Sequence, residues 1–138
     1  RSWHGEQRSH REFQTNKAIQ EEDYDLLVQV LGNFASILSL THIMAEVSNL
    51  TDLNEPELLH ARGVLRETVK VCNEVVLPSR RAVEEHSFER LGMTDAAITC
   101  AAREHDCVVL TDDLDLYLEL SKDKRDVINF TYLRTRGL

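Results

Sequence analysis

Apolar positions recur at intervals of three and four between Glu21 and Phe34, where Leu26, Leu27, Val30, Leu31 and Phe34 predict one face of a helix. Glu21, Glu22 and Asp23 fall in its first turn, where the helix dipole favours anions. Gly32-Asn33 predicts its end. The pattern then changes. Ala35 to Leu40 is short and apolar and predicts a buried parallel strand, with Thr41 as N-cap of a helix over His42 to Leu50. After a polar break, Asn54-Glu55-Pro56-Glu57 combines a capping side chain, a first-turn proline and an acid three residues on. That start predicts a helix running to about Leu77 and stopped by Pro78. Leu58, Ala61, Leu65, Cys72 and Val75 form its inward stripe, while Arg62, Arg66 and Lys70 form a solvated row. Ser79 to Leu91 reads as one more short helix, ended by Gly92.

Next comes the stretch with the densest signals. Thr94 caps a predicted helix from Asp95 to His105, and Cys107 to Thr111 is a short strand that stops at Asp112-Asp113. Leu114 to Ser121 reads as an amphipathic turn or short helix, Asp126 to Phe130 as a last strand, and Thr131 to Leu138 as a tail. Helices alternating with short apolar strands imply an α/β layered fold with a mainly parallel sheet. Residues 1–20 are polar and without a helical face, so they form an N-terminal arm, leaving residues 21–138 as a single domain.

Composition narrows the function classes. The 138 residues are 42% hydrophobic and 29% charged, which is ordinary for a globular chain. No apolar run approaches the ~20 residues a membrane span needs, and no charged-then-apolar leader opens the chain. A cytoplasmic location with no membrane partner is therefore expected. Cys72, Cys100 and Cys107 are an odd set without paired spacing and read as reduced, small hydrophobes. The net charge of −8 argues against passive binding of a phosphate backbone, but not against a site in which acids hold cations that meet phosphates.

Strand and helix lengths bring the acids together. A helix from Asp95 to His105 covers about 15 Å at ~1.5 Å per residue. The strand after it returns about 16 Å at ~3.3 Å per residue. Asp95 and Asp112-Asp113 are thus predicted at one carboxyl edge of the sheet, where ligands of such folds bind. Glu46 lies in the second turn of a helix leaving the same edge. Taken singly, each acid has an ordinary reading: a helix N-terminal charge, a surface acid, a turn residue. Their joint placement suits Mg²⁺ or Mn²⁺, which take hard oxygen ligands and bridge to phosphates. Metal-assisted phosphodiester hydrolysis is the reaction such a rim serves. His42 and Glu46 stand at i, i+4, but without a third ligand they make a weak zinc signal, and His42 is expected to pack or hydrogen-bond.

Thr94-Asp95-Ala96-Ala97-Ile98, Leu110-Thr111-Asp112-Asp113 and Ser39-Leu40-Thr41-His42-Ile43-Met44-Ala45-Glu46-Val47-Ser48-Asn49-Leu50 resemble the PIN domain family. The resemblance spans roughly Glu21 to Phe130 in element order and rests on these three short motifs. It implies a PIN-like α/β/α sandwich and a Mg²⁺- or Mn²⁺-dependent RNA endonuclease, of the kind found among toxins of toxin–antitoxin pairs. Residue by residue, it implies Glu46, Asp95 and Asp113 as catalytic acids and metal ligands. Asp112 stands where the family has Asn and is a further candidate ligand. Thr111 would assist at a bound water or phosphate, and Asn49 would orient Glu46. Asp115 is a candidate fifth acid with an ordinary reading as a surface charge.

The chain departs from that pattern at its start. The family opens with an apolar central strand ending in its first metal-binding Asp, and no apolar run of that kind precedes Asp23. The expectation is a PIN-like domain lacking that first strand, one acid short. RNA is the expected substrate; an antitoxin protein and a second copy of the chain are candidate partners. The alternative function is a catalytically impaired PIN-like module for protein interaction or RNA binding.

Overall fold

A computed structural model describes Asp23, residues 25–49 and residues 53–136. The chain divides into two compact units, residues 1–35 and 36–138. The predicted arm, Glu21 and Glu22 lie outside the described residues.

In the first unit, residues 25–31 are helical (α1). Val30 is buried, and Leu26, Leu27 and Leu31 are half-buried, so these members of the predicted stripe face inward, whereas Phe34 lies past the helix end and is exposed. The helix ends where Gly32-Asn33 predicts. The Gly32 amide donates to the Val28 carbonyl at 2.9 Å, and the Asn33 side chain donates to the Gln29 carbonyl at 3.0 Å.

The second unit is mixed α/β. Its elements are β1 (Leu38–Leu40), α2 (Thr41–Ser48), α3 (Glu55–Val71), β2 (Asn73–Val75), α4 (Ser79–Ala82), α5 (Phe88–Leu91), α6 (Met93–Glu104), β3 (Val109–Thr111), α7 (Leu114–Lys122), β4 (Val127–Asn129) and α8 (Phe130–Arg136). The strands are parallel, as expected, but among the described residues they form two separate pairs. In one, β1 runs beside β2 with Leu38, Ser39 and Leu40 opposite Asn73, Glu74 and Val75. In the other, β3 runs beside β4 with Val109, Leu110 and Thr111 opposite Val127, Ile128 and Asn129. Helices cross over between the strands of each pair, as parallel pairing requires.

Several boundaries differ from the sequence expectations, each for a local reason. The strand predicted over Ala35 to Leu40 forms only at Leu38–Leu40, and only Leu40 is buried in it. The helix from Asn54 starts as predicted, with the Asn54 side chain accepting from the Glu57 amide at 3.0 Å. It stops at Val71 rather than near Leu77. Asn73 and the β-branched Val75 and Val76 are weak helix formers, and pairing with β1 claims that segment. The Asn73 amide donates to the Ile37 carbonyl at 2.9 Å. Cys72 and Val75, placed in a helical stripe by spacing, therefore lie past the helix end. Ser79 to Leu91 is two short helices rather than one, separated by a turn around Glu84–Ser87. Thr131 to Leu138 is not a tail: Phe130–Arg136 is helical.

Helix α6 is the element on which the core is built. It begins at Met93, with Gly92 rather than Thr94 at the N-cap position. Gly92 has φ of 90°, a left-handed conformation that glycine adopts without a side-chain penalty and that ends α5 as it starts α6. Ala96, Ala97, Cys100 and Ala102 are buried. Their small side chains let α6 approach both strand pairs closely. Ala96, Ala97 and Cys100 pack with Leu40, Leu77 and Ala82, against Val75 and Ile43. Ala102 packs with Leu116 and Leu120 of α7, against Val109 and Val127. Ile98 touches both clusters. The three cysteines are free; Cys100 is buried and Cys72 and Cys107 half-buried. No helix among the described residues is long and apolar enough to cross a membrane.

Candidate functional site

The carboxyl ends of the strands lead directly to the predicted acids. Leu40 closes β1 and α2 starts at Thr41, so Glu46 stands in the second turn above that edge. Thr111 closes β3, and Asp112-Asp113 follows before α7 starts at Leu114. Asp95 sits in the first turn of α6. Three parts of the chain thus carry acids toward the carboxyl edges of the strands: α2, the turn after β3 and the start of α6.

Electrostatics reports that they meet. The Asp95 carboxyl is raised from its ordinary value of 3.8 to about 6. Burial is the largest cause, followed by the negative charges of Asp113, Glu46 and Asp115. All three charges acting on Asp95 are of its own sign. The lengths reasoned from sequence therefore bring Asp95 and Asp113 within electrostatic reach, with Glu46 joining from α2. Asp115, read as an ordinary surface charge, belongs to the same field.

Two threonines organise these acids. The Thr94 hydroxyl donates to Glu46 Oε1 at 2.8 Å, tying α2 to the start of α6. The expected capping role of Thr94 is replaced by this link, since Gly92 holds the N-cap position. Thr111 Oγ1 accepts from the Asp113 amide at 3.0 Å, which fixes the turn after β3. Asp113 has a structural task besides any functional one. Its Oδ1 accepts from the Leu116 amide at 3.0 Å and caps α7, a role that Thr-Asp-Asp before an amphipathic run signals in sequence.

The remaining candidates are placed differently. Asp112 turns to α8, where Arg134 Nη2 stands 3.2 Å from both its carboxylate oxygens and Thr131 donates to it. It is absent from the charges that raise Asp95. Asn49 ends α2, and its amide donates to the Ala45 and Glu46 carbonyls at 3.2 and 3.1 Å, so its link to Glu46 runs through the backbone. His42 hydrogen-bonds with its Nε2 3.0 Å from Ser79 Oγ, while Nδ1 is buried without a partner. Reasoning from sequence missed Arg134, which lies in the stretch read as a tail, and the Thr94–Glu46 link, which no local pattern signals.

Among the described residues, no group of three or more His, Cys, Asp or Glu side chains stands arranged to hold a metal ion. The donors fit a hard divalent cation in chemistry: all are carboxylate oxygens, and Asp95, raised first by burial and then by the charges of its neighbours, shows the cost of gathering them. They are gathered but not drawn into a ligand shell. No family model matches the chain, and neither a curated protein nor a solved structure does.

Proposed function

We propose that the chain is a PIN-like, metal-dependent RNA endonuclease whose rim acids are Glu46, Asp95 and Asp113. The observation that carries this reading is the raised Asp95 carboxyl, which burial and the like charges of Asp113, Glu46 and Asp115, on α2 and at the start of α7, push up. A fold that needed these acids only for stability would gain by pairing or dispersing them. In this reading the two parallel strand pairs belong to one PIN-like α/β/α sandwich, completed by a central strand that the described residues do not contain. Its expected setting is the cytoplasm.

The chain's own residues have definable tasks. Thr94 holds Oε1 of Glu46. Thr111 sets the turn that presents Asp113, whose Oδ1 caps α7. The Asp95 carboxyl, raised to about 6 by burial and by its acidic neighbours, would have to be ionised to hold a cation. Glu46, Asp95 and Asp113 are the residues that would hold Mg²⁺ or Mn²⁺. What such an ion supplies is polarisation of a phosphodiester and activation of a water.

The test is cleavage of single-stranded RNA with Mg²⁺ or Mn²⁺. Cleavage that survives both EDTA and Asp95→Asn overturns the reading. The Asp112–Arg134 pair favours a second reading, a catalytically impaired PIN-like module that binds RNA or protein, because it occupies the acid next to Asp113. RNA binding without metal-dependent cleavage would select it.

A further inference from the structure

The last helix, α8, does something the acid rim cannot do for itself. A site made of carboxylates repels a polyanion, and the chain as a whole carries −8. The β3–β4 register places Thr111 opposite Asn129. The chain therefore leaves the two strands at the same edge, into Asp112-Asp113 on one side and into α8 on the other. Arg134 closes the gap by pairing with Asp112, next to Asp113. Helix α8, Phe-Thr-Tyr-Leu-Arg-Thr-Arg, carries two arginines and no acid.

Its aromatic residues are arranged for stacking. The Arg136 guanidinium lies 4.5 Å from the centroid of the Tyr132 ring, and Arg134 lies 5.7 Å from that of Phe130. Tyr132 is nonetheless 53% exposed, although an aromatic side chain of its size gains most by burial. Single-stranded nucleic acid is bound by this combination: cations along the backbone and aromatic or guanidinium planes on which bases stack.

We propose that α8 is the docking surface for single-stranded RNA, with Tyr132 stacking a base, Arg136 meeting a phosphate, and Arg134 holding the helix against the acid rim. The choice of RNA rests on the nuclease reading, whereas the surface and its chemistry do not. An acidic protein segment would use the two arginines and make no use of an exposed aromatic plane, which is why RNA is favoured.

The test is fluorescence anisotropy of a fluorescein-labelled oligouridylate in EDTA, so that binding is read without cleavage. Tyr132→Ala should weaken binding roughly tenfold, the loss of one stacked base, and Tyr132→Phe should retain it. Arg136→Gln should weaken it several-fold and reduce the salt slope by about 0.7, the value for one phosphate contact on a single strand. Circular dichroism and melting curves check that these exposed substitutions leave the fold intact. Wild-type affinity in both Tyr132→Ala and Arg136→Gln overturns the proposal. So does the absence of wild-type binding at low salt, or displacement by polyglutamate as readily as by RNA with Tyr132→Ala unchanged. Melting with Mn²⁺ separates this proposal from the nuclease reading. No Mn²⁺ shift alongside weakened Tyr132→Ala binding sinks the metal site and leaves the surface standing. A Mn²⁺ shift with unaltered RNA binding does the reverse.

Discussion

Two groups of acids in the second unit are treated in opposite ways. Glu119 on α7 and Glu85 after α4 have side chains only 7% exposed, and both are met by cations. Arg90 Nη2 lies 2.7 Å and His86 Nε2 2.9 Å from the two Glu119 oxygens. Arg103 grips Glu85 with two nitrogens at 2.5 and 3.1 Å. Asp95 is also partly buried, yet the charges acting on it are Asp113, Glu46 and Asp115. Among the described residues, arginines pair with the first group, and the charges that shift Asp95 are those of other acids. Burying an acid costs several kcal/mol unless it is paired. The first group offsets that cost with cations of the second unit, whereas the described residues bring Asp95 acids of its own sign.

The sharpest way to break this contrast is to neutralise one acid from each group. Under the nuclease reading, Asp95→Asn or Glu46→Gln should lower metal-dependent RNA cleavage roughly 100-fold or more, with folding intact. Arg90→Ala should instead leave Glu119 buried with His86 as its remaining partner. Since Arg90 is itself half-exposed, solvent tempers the loss, and a destabilisation of about 2 kcal/mol is expected by urea unfolding at neutral pH. A neutral Arg90→Ala would mean that these pairs are ornaments of the surface, and the contrast between the groups would collapse.

A smaller effect tests the open group directly. Mn²⁺ at ten times its Kd should stabilise the folded chain by about 1.4 kcal/mol, read as a rise in melting temperature of several degrees. The rise should disappear in Asp95→Asn and persist in Arg90→Ala. A rise that survives Asp95→Asn would place the cation elsewhere.

The contrast also separates what a linear pattern reveals from what it hides. Asn54-Glu55-Pro56-Glu57 marks the start of α3, and Gly92 marks the break before α6, because capping and left-handed turns are local chemistry. The approach of Asp95 to Asp113 follows from one helix and one strand of matching length. The end of α3 was hidden because Cys72 and Val75 continue a helical spacing while pairing with β1 overrides it. Helix α8 was hidden for the same kind of reason. Its seven residues are too few for periodicity to speak, and its anchor is the tertiary pair of Arg134 with Asp112. The bond from Thr94 to Glu46 spans 48 positions, and local pattern carries no trace of it. The candidate acids were legible as residues; that Asp112 pairs with Arg134 and adds no charge to Asp95 was not.

The smallest expected effect is on the pH dependence of stability, and its sign distinguishes an unpaired acid from a paired one. The Asp95 carboxyl sits at about 6 in the folded chain against an ordinary 3.8. Above pH 6 it is ionised in both folded and unfolded forms, and the folded form bears the repulsion of its neighbours. As pH falls from 6 toward 3.8, the folded form takes up the proton first, so this site adds stability on acidification. Below 3.8 both forms are protonated and the penalty is gone. Asp95→Asn should therefore melt above wild type at pH 7.5, with a lead that shrinks toward zero near pH 4. Because the group is only partly buried, added salt should narrow the lead as well. Taking the difference between the two proteins cancels the contributions of the other acids. Under the nuclease reading a cation would reverse the sign, because it would compete with the proton for these carboxylates, so any Mn²⁺ stabilisation should grow as pH rises through 6. A lead for Asp95→Asn that widens on acidification would mean that Asp95 is stabilised in its charged form, as a paired carboxylate is, and the two groups of acids would no longer differ in kind.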